Sequence, residues 1–328
     1  MPQPVLVTGG AGYIGAHACK ALKAAGYLPV AFDSLVTGWR DAVKFGPFEN
    51  GDLADRAGLD AVFARWQPVA VMHFAALSLV GDAMRDPGRY WRANLLGALN
   101  LVEAALAAGC RDMVFSSTCA TYGDQDGVLL TEDTPQAPIN AYGKSKQAIE
   151  QMLGDFGASH GLRSVIFRYF NVAGADPEGE IGEFHRPETH LIPLMLDAID
   201  GRRPALTVFG SDYPTPDGTC IRDYVHVTDL VEAHVLGLKW LGEGGDSRVF
   251  CLGTGKGFSV REVIAQSRLV TNREVPVTYG DRRPGDAVSL VCGSERAVRE
   301  LGWRPLRSNL EAMIADAWRW HQTGGYRG

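Results

Sequence analysis

The pair of residues best suited to proton transfer is Tyr142 and Lys146. They are four positions apart along the chain, so on a helix they lie on the same face, one turn apart. A nearby ammonium group favours a phenolate and lowers the pKa of a tyrosine from ~10 towards that of a useful general base. The same spacing also occurs on ordinary solvated helix faces, which is the alternative interpretation.

A third candidate for proton transfer is Thr118. It follows Ser116 and Ser117 at the end of an apolar run that we predict to be a buried strand. Parallel sheets bind ligands at the carboxyl ends of their strands, where a hydroxyl can share a proton with a substrate alcohol. A hydroxyl that only caps a turn is the alternative.

A glycine-rich turn joins the first predicted strand to the first helix. Residues 5–15 read VLVTGGAGYIG, with glycines at 9, 10, 12 and 15. Glycine permits positive φ and close approach of a pyrophosphate, which the N–H groups of the following helix then bind. Asp33 ends the second predicted strand, where a carboxylate accepts hydrogen bonds from ribose hydroxyls and repels a 2′-phosphate. This pattern predicts NAD rather than NADP, with a plain tight turn and a capping Asp33 as the alternatives. The positive charge of an oxidised nicotinamide would lower the pKa of Tyr142 further.

The elements that must position these residues alternate between strands and helices. We predict buried strands at 4–8, 28–33, 69–75, 113–117 and 164–169, and helices at 16–25, 53–66, 90–108 and 141–160. Such alternation is typical of right-handed βαβ units and of a parallel sheet covered on both faces. The predicted fold class is α/β, with a Rossmann-type doubly wound parallel sheet.

After about residue 175 the pattern changes to loops, short strands and shorter helices. We therefore predict an NAD-binding domain over residues 1–174 and a smaller mixed α/β domain over 175–328, whose chain returns to the first domain at least once. Further elements are predicted at 191–200, 206–209, 224–227, from about 229, and at 309–321. The cleft between the two lobes is the natural ligand site.

Composition excludes several classes of protein. Hydrophobic residues make up 46% and charged residues 21% of the chain, which excludes disorder as the main state. A net charge of −6 argues against nucleic-acid and anionic-membrane partners. No apolar stretch reaches the ~20 residues that span a bilayer, and we see no secretory signal. The six cysteines and eight histidines show no metal-ligand spacing, so we expect a soluble cytoplasmic protein with free thiols and no metal.

The chain resembles the extended short-chain dehydrogenase/reductases and, within them, the UDP-glucose 4-epimerases, over nearly its whole length. The resemblance rests on the glycine turn with Thr8, on the set Thr118, Tyr142 and Lys146, and on several further blocks. These blocks are GDL at 51–53, HFAA at 73–76, Asn94, RYFN at 168–171, FGSDYPTPDGT at 209–219, IRDYVHV at 221–227 and RRPGD at 282–286. The last three are far more specific than the dinucleotide turn.

The resemblance implies an NAD cofactor that stays tightly bound and is regenerated in each cycle. The residues that match cofactor-binding positions of the family are Gly9, Gly12, Tyr13, Ile14, Gly15, Asp33, Ser34, Leu35, Thr37, Gly38, Asp52, Leu53, Phe74, Ala75, Ala76, Ser78, Asn94, Thr118, Tyr142, Lys146 and Phe170. Ser78 stands where some members carry a lysine, so that contact is expected to be weaker or missing.

The resemblance also implies a UDP-sugar substrate. Arg222 and Arg283 offer forked guanidinium donors for a diphosphate, and Asp286 can accept from ribose hydroxyls. The positions that match substrate-binding residues are Thr118, Tyr142, Asn171, His190, Leu191, Thr207, Val208, Phe209, Arg222, Arg283, Asp286 and Leu290. Alternatives remain for three of them: a salt bridge of Arg222 with a local acid such as Asp223, a core position for Phe209, and a structural role for His190.

The implied reaction inverts C4 of a UDP-hexose and so interconverts UDP-glucose and UDP-galactose. Tyr142, with Thr118, removes the proton of the 4-hydroxyl while C4 passes a hydride to NAD. The 4-keto sugar then turns over within the cleft and takes the hydride back on its other face. Many family members are homodimers, and the helices at 90–108 and 141–160 could supply such a face.

Several alternatives stay open at this point. Related 4,6-dehydratases carry an acidic pair just after the hydroxyl residue, where this chain has Cys119 and Ala120. Leu290 is intermediate in size between the residues that restrict and those that widen the family's sugar pocket, so UDP-xylose or UDP-GlcNAc are alternative substrates. A 4,6-dehydratase and a non-catalytic NAD-binding relative are less favoured.

Overall fold

The computed structural model describes residues 1–125, 127–283 and 286–327. Pro284 and Gly285 of the RRPGD block lie outside the described residues. The strands are β1 Pro4–Thr8, β2 Leu28–Asp33, β3 Phe48–Asn50, β4 Ala70–His73, β5 Asp112–Ser116, β6 Leu129–Leu130, β7 Arg163–Tyr169, β8 Asn171–Ala173, β9 Leu206–Phe209, β10 Ile221–Arg222, β11 Tyr224–His226, β12 Arg248–Leu252, β13 Phe258–Ser259, β14 Val277–Gly280 and β15 Ser289–Cys292. The α-helices are α1 Tyr13–Ala24, α2 Arg56–Trp66, α3 Val80–Arg85, α4 Pro87–Tyr90, α5 Gly97–Ala107, α6 Ala141–His160, α7 Leu191–Ile199, α8 Val227–Gly242, α9 Val260–Thr271, α10 Glu295–Leu301 and α11 Leu310–Gln322.

Seven parallel strands form the central sheet, in the order β3-β2-β1-β4-β5-β7-β12. Alternate side chains of β1 face opposite helix layers. Val5 and Val7 pack with α1 and α8, whereas Leu6 packs with α2, α5 and α6. The strand order reverses between β1 and β4, and the crevice beyond their carboxyl ends is where a doubly wound sheet binds its ligand. The predicted α/β fold class is confirmed.

The edge of the sheet is completed by β12, which lies far along the chain. Each of its residues pairs with β7, from Arg248 opposite Val165 to Leu252 opposite Tyr169. The Phe250 ring is buried and stacks on Phe167 with 5.8 Å between ring centroids. The helix before it, α8, packs on α1 in the same core. The division of the chain into domains at residue 174 stays a prediction.

Helices α7, α9 and α11 build a third core. Beside this core lie a four-stranded sheet, β13-β10-β15-β6, and the pairs β11–β8 and β14–β9. Strand β8 follows β7 after a single residue, so the end of the main sheet leads directly into these smaller sheets.

One predicted helix differs from the structure. The segment predicted as a single helix over 90–108 contains a π-helical turn, Trp91–Leu96, between α4 and α5. Such a turn inserts an extra residue and re-aims the side chains around it. Asn94 lies in this turn and is buried, with 1% of its surface exposed. No helix in the described part of the chain combines the length and apolar character needed to cross a bilayer.

Candidate active site

The turn between β1 and α1 brings two backbone segments into close contact. Gly9 has a φ of +73°, and a Cβ atom there would lie 2.7 Å from the Ala75 nitrogen. A Cβ atom on Gly15 would lie 2.0 Å from the Gly9 oxygen. Gly12 caps α1 without a side-chain hydrogen bond, and the first turn carries no acidic residue. The N-terminus of α1 therefore suits a pyrophosphate, and Tyr13, Ile14 and Gly15 form its first turn.

Asp33 closes this turn from the end of β2. Its carboxylate accepts hydrogen bonds from the N–H of Ala11 at 3.0 Å and of Leu35 at 2.8 Å, one on each oxygen. Burial raises the pKa of Asp33, and these two hydrogen bonds oppose that rise. Each carboxylate oxygen keeps a lone pair for a ribose hydroxyl. Ser34 and Thr37 are exposed after it, and their contact with the cofactor stays a prediction.

The two residues predicted at the adenine end point in different directions. Asp52 is exposed, and its carboxylate accepts from the N–H of Ala54 at 2.9 Å. Leu53 is buried, with 8% exposed, and packs against Gly97 of α5. The Asp52 side chain therefore faces solvent, and the Leu53 side chain lies in the core.

Asn94 anchors the loop that follows β4. Its Oδ1 accepts from the N–H of Leu77 at 2.8 Å, while its Nδ2 donates to the Leu77 oxygen at 3.0 Å and to Ser145 Oγ at 3.1 Å. The amide thus ties the segment carrying Phe74, Ala75, Ala76 and Ser78 to α6. Asn94 was predicted to bind the cofactor, and in this geometry its amide positions the loop that faces the cofactor crevice.

The beginning of α6 brings the candidate acid–base residues together. Asn140 caps this helix by accepting from the N–H of Gly143 at 2.9 Å. Gly143 lies so close to the turn after β5 that a Cβ atom there would be 2.5 Å from the Ala120 oxygen. This approach places Tyr142 beside the turn that carries Thr118, and the Thr118 side chain acts to lower the pKa of the phenol. Thr118 also caps the turn, accepting from the Ala120 N–H at 3.1 Å.

The chain raises, rather than lowers, the pKa of Tyr142. Burial raises it to about 12, although the hydrogen bond from Thr118 acts in the opposite direction. Burial also lowers the pKa of Lys146 to about 7, against the nearby charge of Glu150. The sequence analysis expects Lys146 and an oxidised nicotinamide together to lower this pKa. In the chain without the cofactor, desolvation outweighs the favourable contacts, and the effect of the assembled site stays a prediction.

A buried ion pair behind these residues was not foreseen from the sequence. Arg168 of β7 donates from Nε to the Glu150 carboxylate at 3.1 Å and from Nη1 to the Tyr122 hydroxyl at 2.9 Å. Ser117 also donates to Glu150. Both charged side chains are almost fully buried, at 8% and 5% exposed. The pair fixes α6 against the central sheet and so holds Tyr142 and Lys146 in place.

The candidate substrate residues of the smaller sheets form one cluster. Arg222 donates from Nη1 to the Ile221 and Ala287 oxygens at 2.8 and 2.9 Å, and its Nη2 lies 3.6 Å from Asp286 Oδ1. The Arg283 guanidinium lies 3.9 Å from the centre of the Phe209 ring. Leu290 pairs with Arg222 across β15 and β10.

The structure shows which acid lies beside Arg222 and how far Phe209 is buried. Asp223 accepts hydrogen bonds from Thr254, at 2.7 Å from its hydroxyl, and the acid beside Arg222 is Asp286. Phe209 is half-buried and carries a cation on its face, so it is not a core aromatic.

The positions of further predicted ligand contacts follow from the strands that carry them or flank them. Val208 is buried, with 1% exposed, in the third core, whereas Thr207 and Phe209 point to the other face of β9. Only the backbone of Val208 can therefore face a ligand. Asn171 begins β8, with its N–H 3.3 Å from the Asp223 oxygen, and Phe170 packs on the buried group around Cys119.

His190 and Leu191 lie where α7 begins, and His190 belongs to a cluster that the sequence analysis missed. Its Nδ1 lies 2.9 Å from a carboxylate oxygen of both Glu183 and Glu188, and His185 completes the group. Despite the opposing effect of burial, these carboxylates raise the pKa of His190 to about 10 and that of His185 to about 9. The pattern E-x-H-x-x-E-x-H over 183–190 is the signal that could have found it.

Known UDP-glucose 4-epimerases are similar to this chain in both sequence and structure. The UDP-glucose 4-epimerase of Rhizobium meliloti (strain 1021) is 51% identical over 97% of this chain and 96% of its own length. A crystal structure of a UDP-glucose 4-epimerase that is 51% identical superimposes with a TM-score of 0.97 over 99% of this chain and 100% of that one. The UDP-glucose 4-epimerase from Brucella ovis, solved in complex with NAD, is 46% identical with a TM-score of 0.94, over 96% and 97% of the two chains.

A family model matches most of the chain as well. The model described as the NAD dependent epimerase/dehydratase family matches residues 5–253, from β1 to just past β12. This stretch contains the glycine turn, Asp33 and the Thr118–Tyr142 pair. The chain belongs to the NAD dependent epimerase/dehydratase family.

Proposed function

We propose that the protein interconverts UDP-glucose and UDP-galactose by inverting C4 of the hexose, with NAD as a tightly bound cofactor. The observation that carries this proposal is the contact between Thr118 and Tyr142 at the carboxyl edge of the sheet, next to the glycine turn. Bound NAD supplies the oxidation and reduction at C4, and it is restored at the end of each cycle.

Tyr142 is the residue that exchanges the proton of the 4-hydroxyl, with Thr118 sharing it. Burial keeps the phenol protonated in the chain alone, with a pKa of about 12. A positive charge close to the phenol would lower that pKa, so the site gains its base only when it is fully assembled. Lys146 is buried beside the reacting groups and donates to the Ser116 oxygen at 2.7 Å, which fixes its position.

The protein binds the UDP part of the substrate, away from C4 of the hexose, where the reaction takes place. Arg222 and Arg283 supply cationic donors for the diphosphate, and the half-buried Asp286 is an acceptor for ribose hydroxyls. The phosphate contacts retain the substrate while the hexose is free to turn over, as inversion at C4 demands. Phe209 offers an aromatic face for the base. Thr207 lies on the same face of β9, and Asn171 begins β8 in another sheet.

A dehydratase reaction is disfavoured by the two residues that come after Thr118. Elimination of water across C5 and C6 needs an acid and a base next to the hydroxyl residue, and this chain carries Cys119 and Ala120 there. The Cys119 thiol is fully buried, and burial raises its pKa well above the ordinary value. The neutral, buried thiol of Cys119 and the methyl group of Ala120 can therefore act neither as the acid nor as the base of an elimination.

We also propose that the protein acts as a homodimer in the cytoplasm. Four apolar side chains on α3 and the π-helical turn are exposed: Val80, Met84, Trp91 and Leu96. Two of them, Trp91 and Leu96, lie within the 90–108 segment for which the sequence predicts a dimer face. The six cysteines are free thiols, as a reducing compartment would keep them. Light scattering should give twice the mass of the chain; a monomer mass would overturn the dimer.

The reaction is tested by incubating the purified protein with UDP-galactose, without added NAD, and separating the products by chromatography. Formation of UDP-glucose establishes 4-epimerisation and shows that the cofactor co-purifies. No conversion even after NAD is added would reject the hexose substrate. The same assay with UDP-xylose and UDP-GlcNAc then decides between the alternative sugars, and a 4-keto-6-deoxy product would indicate a dehydratase.

A further inference from the structure

The loop before α7 carries four side chains that converge on one point. These side chains, which we call the 183–190 cluster, are Glu183, His185, Glu188 and His190. One ligand atom from each lies within 4.8 Å of all the others. The Nδ1 atom of His190 is 2.9 Å from Glu183 and from Glu188, and that of His185 is 3.3 and 3.5 Å from the same carboxylates.

These distances match those between the ligands of a tetrahedral metal ion. Around a four-coordinate Zn²⁺ with bonds of ~2.0–2.1 Å, neighbouring ligand atoms lie about 3.4 Å apart. Imidazole nitrogen and carboxylate oxygen are both ordinary zinc ligands. The four contacts between the imidazoles and the carboxylates, from 2.9 to 3.5 Å, bracket this separation.

An unpartnered buried atom also points to a ligand at this place. Nδ1 of His185 is buried and has no hydrogen-bond partner among the described residues, although two carboxylates lie within 3.5 Å of it. Buried polar atoms are nearly always satisfied. A cavity of about 70 Å³ adjoins the cluster and is lined by Glu183, His185 and Glu188. A metal ion would take the place of the proton on this nitrogen, because zinc binds the neutral imidazole.

We propose that the 183–190 cluster binds one Zn²⁺ ion through two imidazoles and two carboxylates. With four protein ligands the site has no open position, and a closed site of this kind is structural rather than catalytic. A zinc ion at this place would correct the expectation of a metal-free protein.

The place of the cluster indicates what the ion would stabilise. Trp39 and Trp320 donate to the backbone oxygens of Phe184 and Glu183, so the loop is held by the cofactor-binding part of the chain and by α11. The Tyr13 ring, at the start of α1, meets His185 edge-on with 6.5 Å between ring centres. The ion would thus connect the end of the glycine turn with the beginning of α7.

Coordination would also fix the ring of His190. An imidazole bound to a metal through Nδ1 carries its proton on Nε2 and presents a fixed donor. His190 is the residue that the family resemblance assigns to the substrate. The ion would therefore orient a substrate contact without touching the reacting atoms.

The test is the zinc content of the NAD-bound protein after zinc sulfate is added and the sample is desalted. We expect about one zinc per chain by mass spectrometry, and loss of that zinc in His185→Gln and Glu188→Gln. His160→Gln is the matched control, because His160 is exposed at the end of α6 and should leave the zinc content unchanged. Equal zinc content in wild type and His185→Gln, or no bound zinc in the wild type, would overturn the proposal.

Two further measurements do not depend on how the variants fold. Co²⁺ added to the wild type should give the intense visible absorption of a tetrahedral site; a weak octahedral spectrum counts against the proposal. Zinc at a hundredfold excess over its dissociation constant should raise the melting temperature by about 4 °C. No shift at saturating zinc would contradict it.

Discussion

Lys146 lies one helical turn after Tyr142, yet its ammonium group donates to the Ser116 oxygen at 2.7 Å. The same group lies 4.7 Å from the centre of the Phe115 ring. Lys146 is therefore held against the end of β5 by the backbone and by an aromatic face. Without the cofactor, the Tyr142 phenol lies beside Thr118, and the Lys146 ammonium lies at the end of β5.

Replacement of Tyr142 by phenylalanine should remove the acid–base group and leave the fold intact. We expect kcat to fall about 10²- to 10⁴-fold, the usual contribution of general acid–base catalysis. Steady-state kinetics with UDP-galactose measures this, and the NAD content of the purified variant should stay at the wild-type level. Tyr27→Phe, outside the site, is the control. An unchanged kcat in Tyr142→Phe would remove Tyr142 from the mechanism.

The lowered pKa of Lys146 predicts a pH-dependent stability. Its pKa is about 7 in the folded chain and ~10.4 in the unfolded chain. Between these values the unfolded state binds more protons, so the free energy of unfolding falls as pH decreases from about 10 to 7. The full effect is on the order of a few kcal/mol.

Lys146→Met removes this titration. The melting temperature of the cofactor-free wild type, relative to that of Lys146→Met, should therefore fall steadily from pH 10 to 7 and then level. Lys144→Met, an exposed lysine on the same helix, is the control. A difference that stays constant over this range would show that the Lys146 ammonium is not desolvated.

Arg283 should contribute to substrate binding rather than to the chemical step. Its guanidinium contacts Phe209, and a charge-assisted hydrogen bond to a phosphate is worth about 1.5–3 kcal/mol. We expect Arg283→Met to raise KM for UDP-galactose about 10- to 100-fold with kcat nearly unchanged. Arg261→Met, an exposed arginine stacked on Tyr279, should leave both constants unchanged. A fall in kcat with an unaltered KM would place Arg283 elsewhere in the mechanism.

Leu290 should limit the size of the sugar. It lies next to Arg222 in the neighbouring strand, half-buried at the candidate sugar pocket. Leu290→Ala enlarges that space, so kcat/KM for UDP-GlcNAc relative to UDP-galactose should rise about tenfold. Leu306→Ala, which is 79% exposed, is the control. If the ratio does not change, another residue bounds the pocket.

Local signals were sufficient for much of the fold. The helix predicted over 141–160 has the same bounds in the structure, because Asn140 caps its beginning and Gly161 ends it with a φ of +69°. The first two strands and the glycine turn were likewise recognisable from short-range patterns. Each of these features depends on residues that are neighbours in sequence.

Features that depend on distant contacts could not be predicted in the same way. The pairing of β12 with β7 and the ion pair of Arg168 with Glu150 join segments that share no local pattern. The burial of Val208 depends on the third core, and the amide of Asn94 contacts Leu77 from within a π-helical turn. The pKa of Tyr142 rises because the folded chain buries the phenol, and the spacing of residues in the sequence does not predict that burial.

The central claim is that C4 gives up a hydride and receives the same hydride back on its other face. UDP-galactose carrying deuterium at C4, incubated with the protein in ordinary water, tests this directly by NMR of the product. The account predicts UDP-glucose that retains its deuterium at C4. Loss of the deuterium to solvent, with UDP-glucose still formed, would contradict it and would require inversion through proton exchange instead.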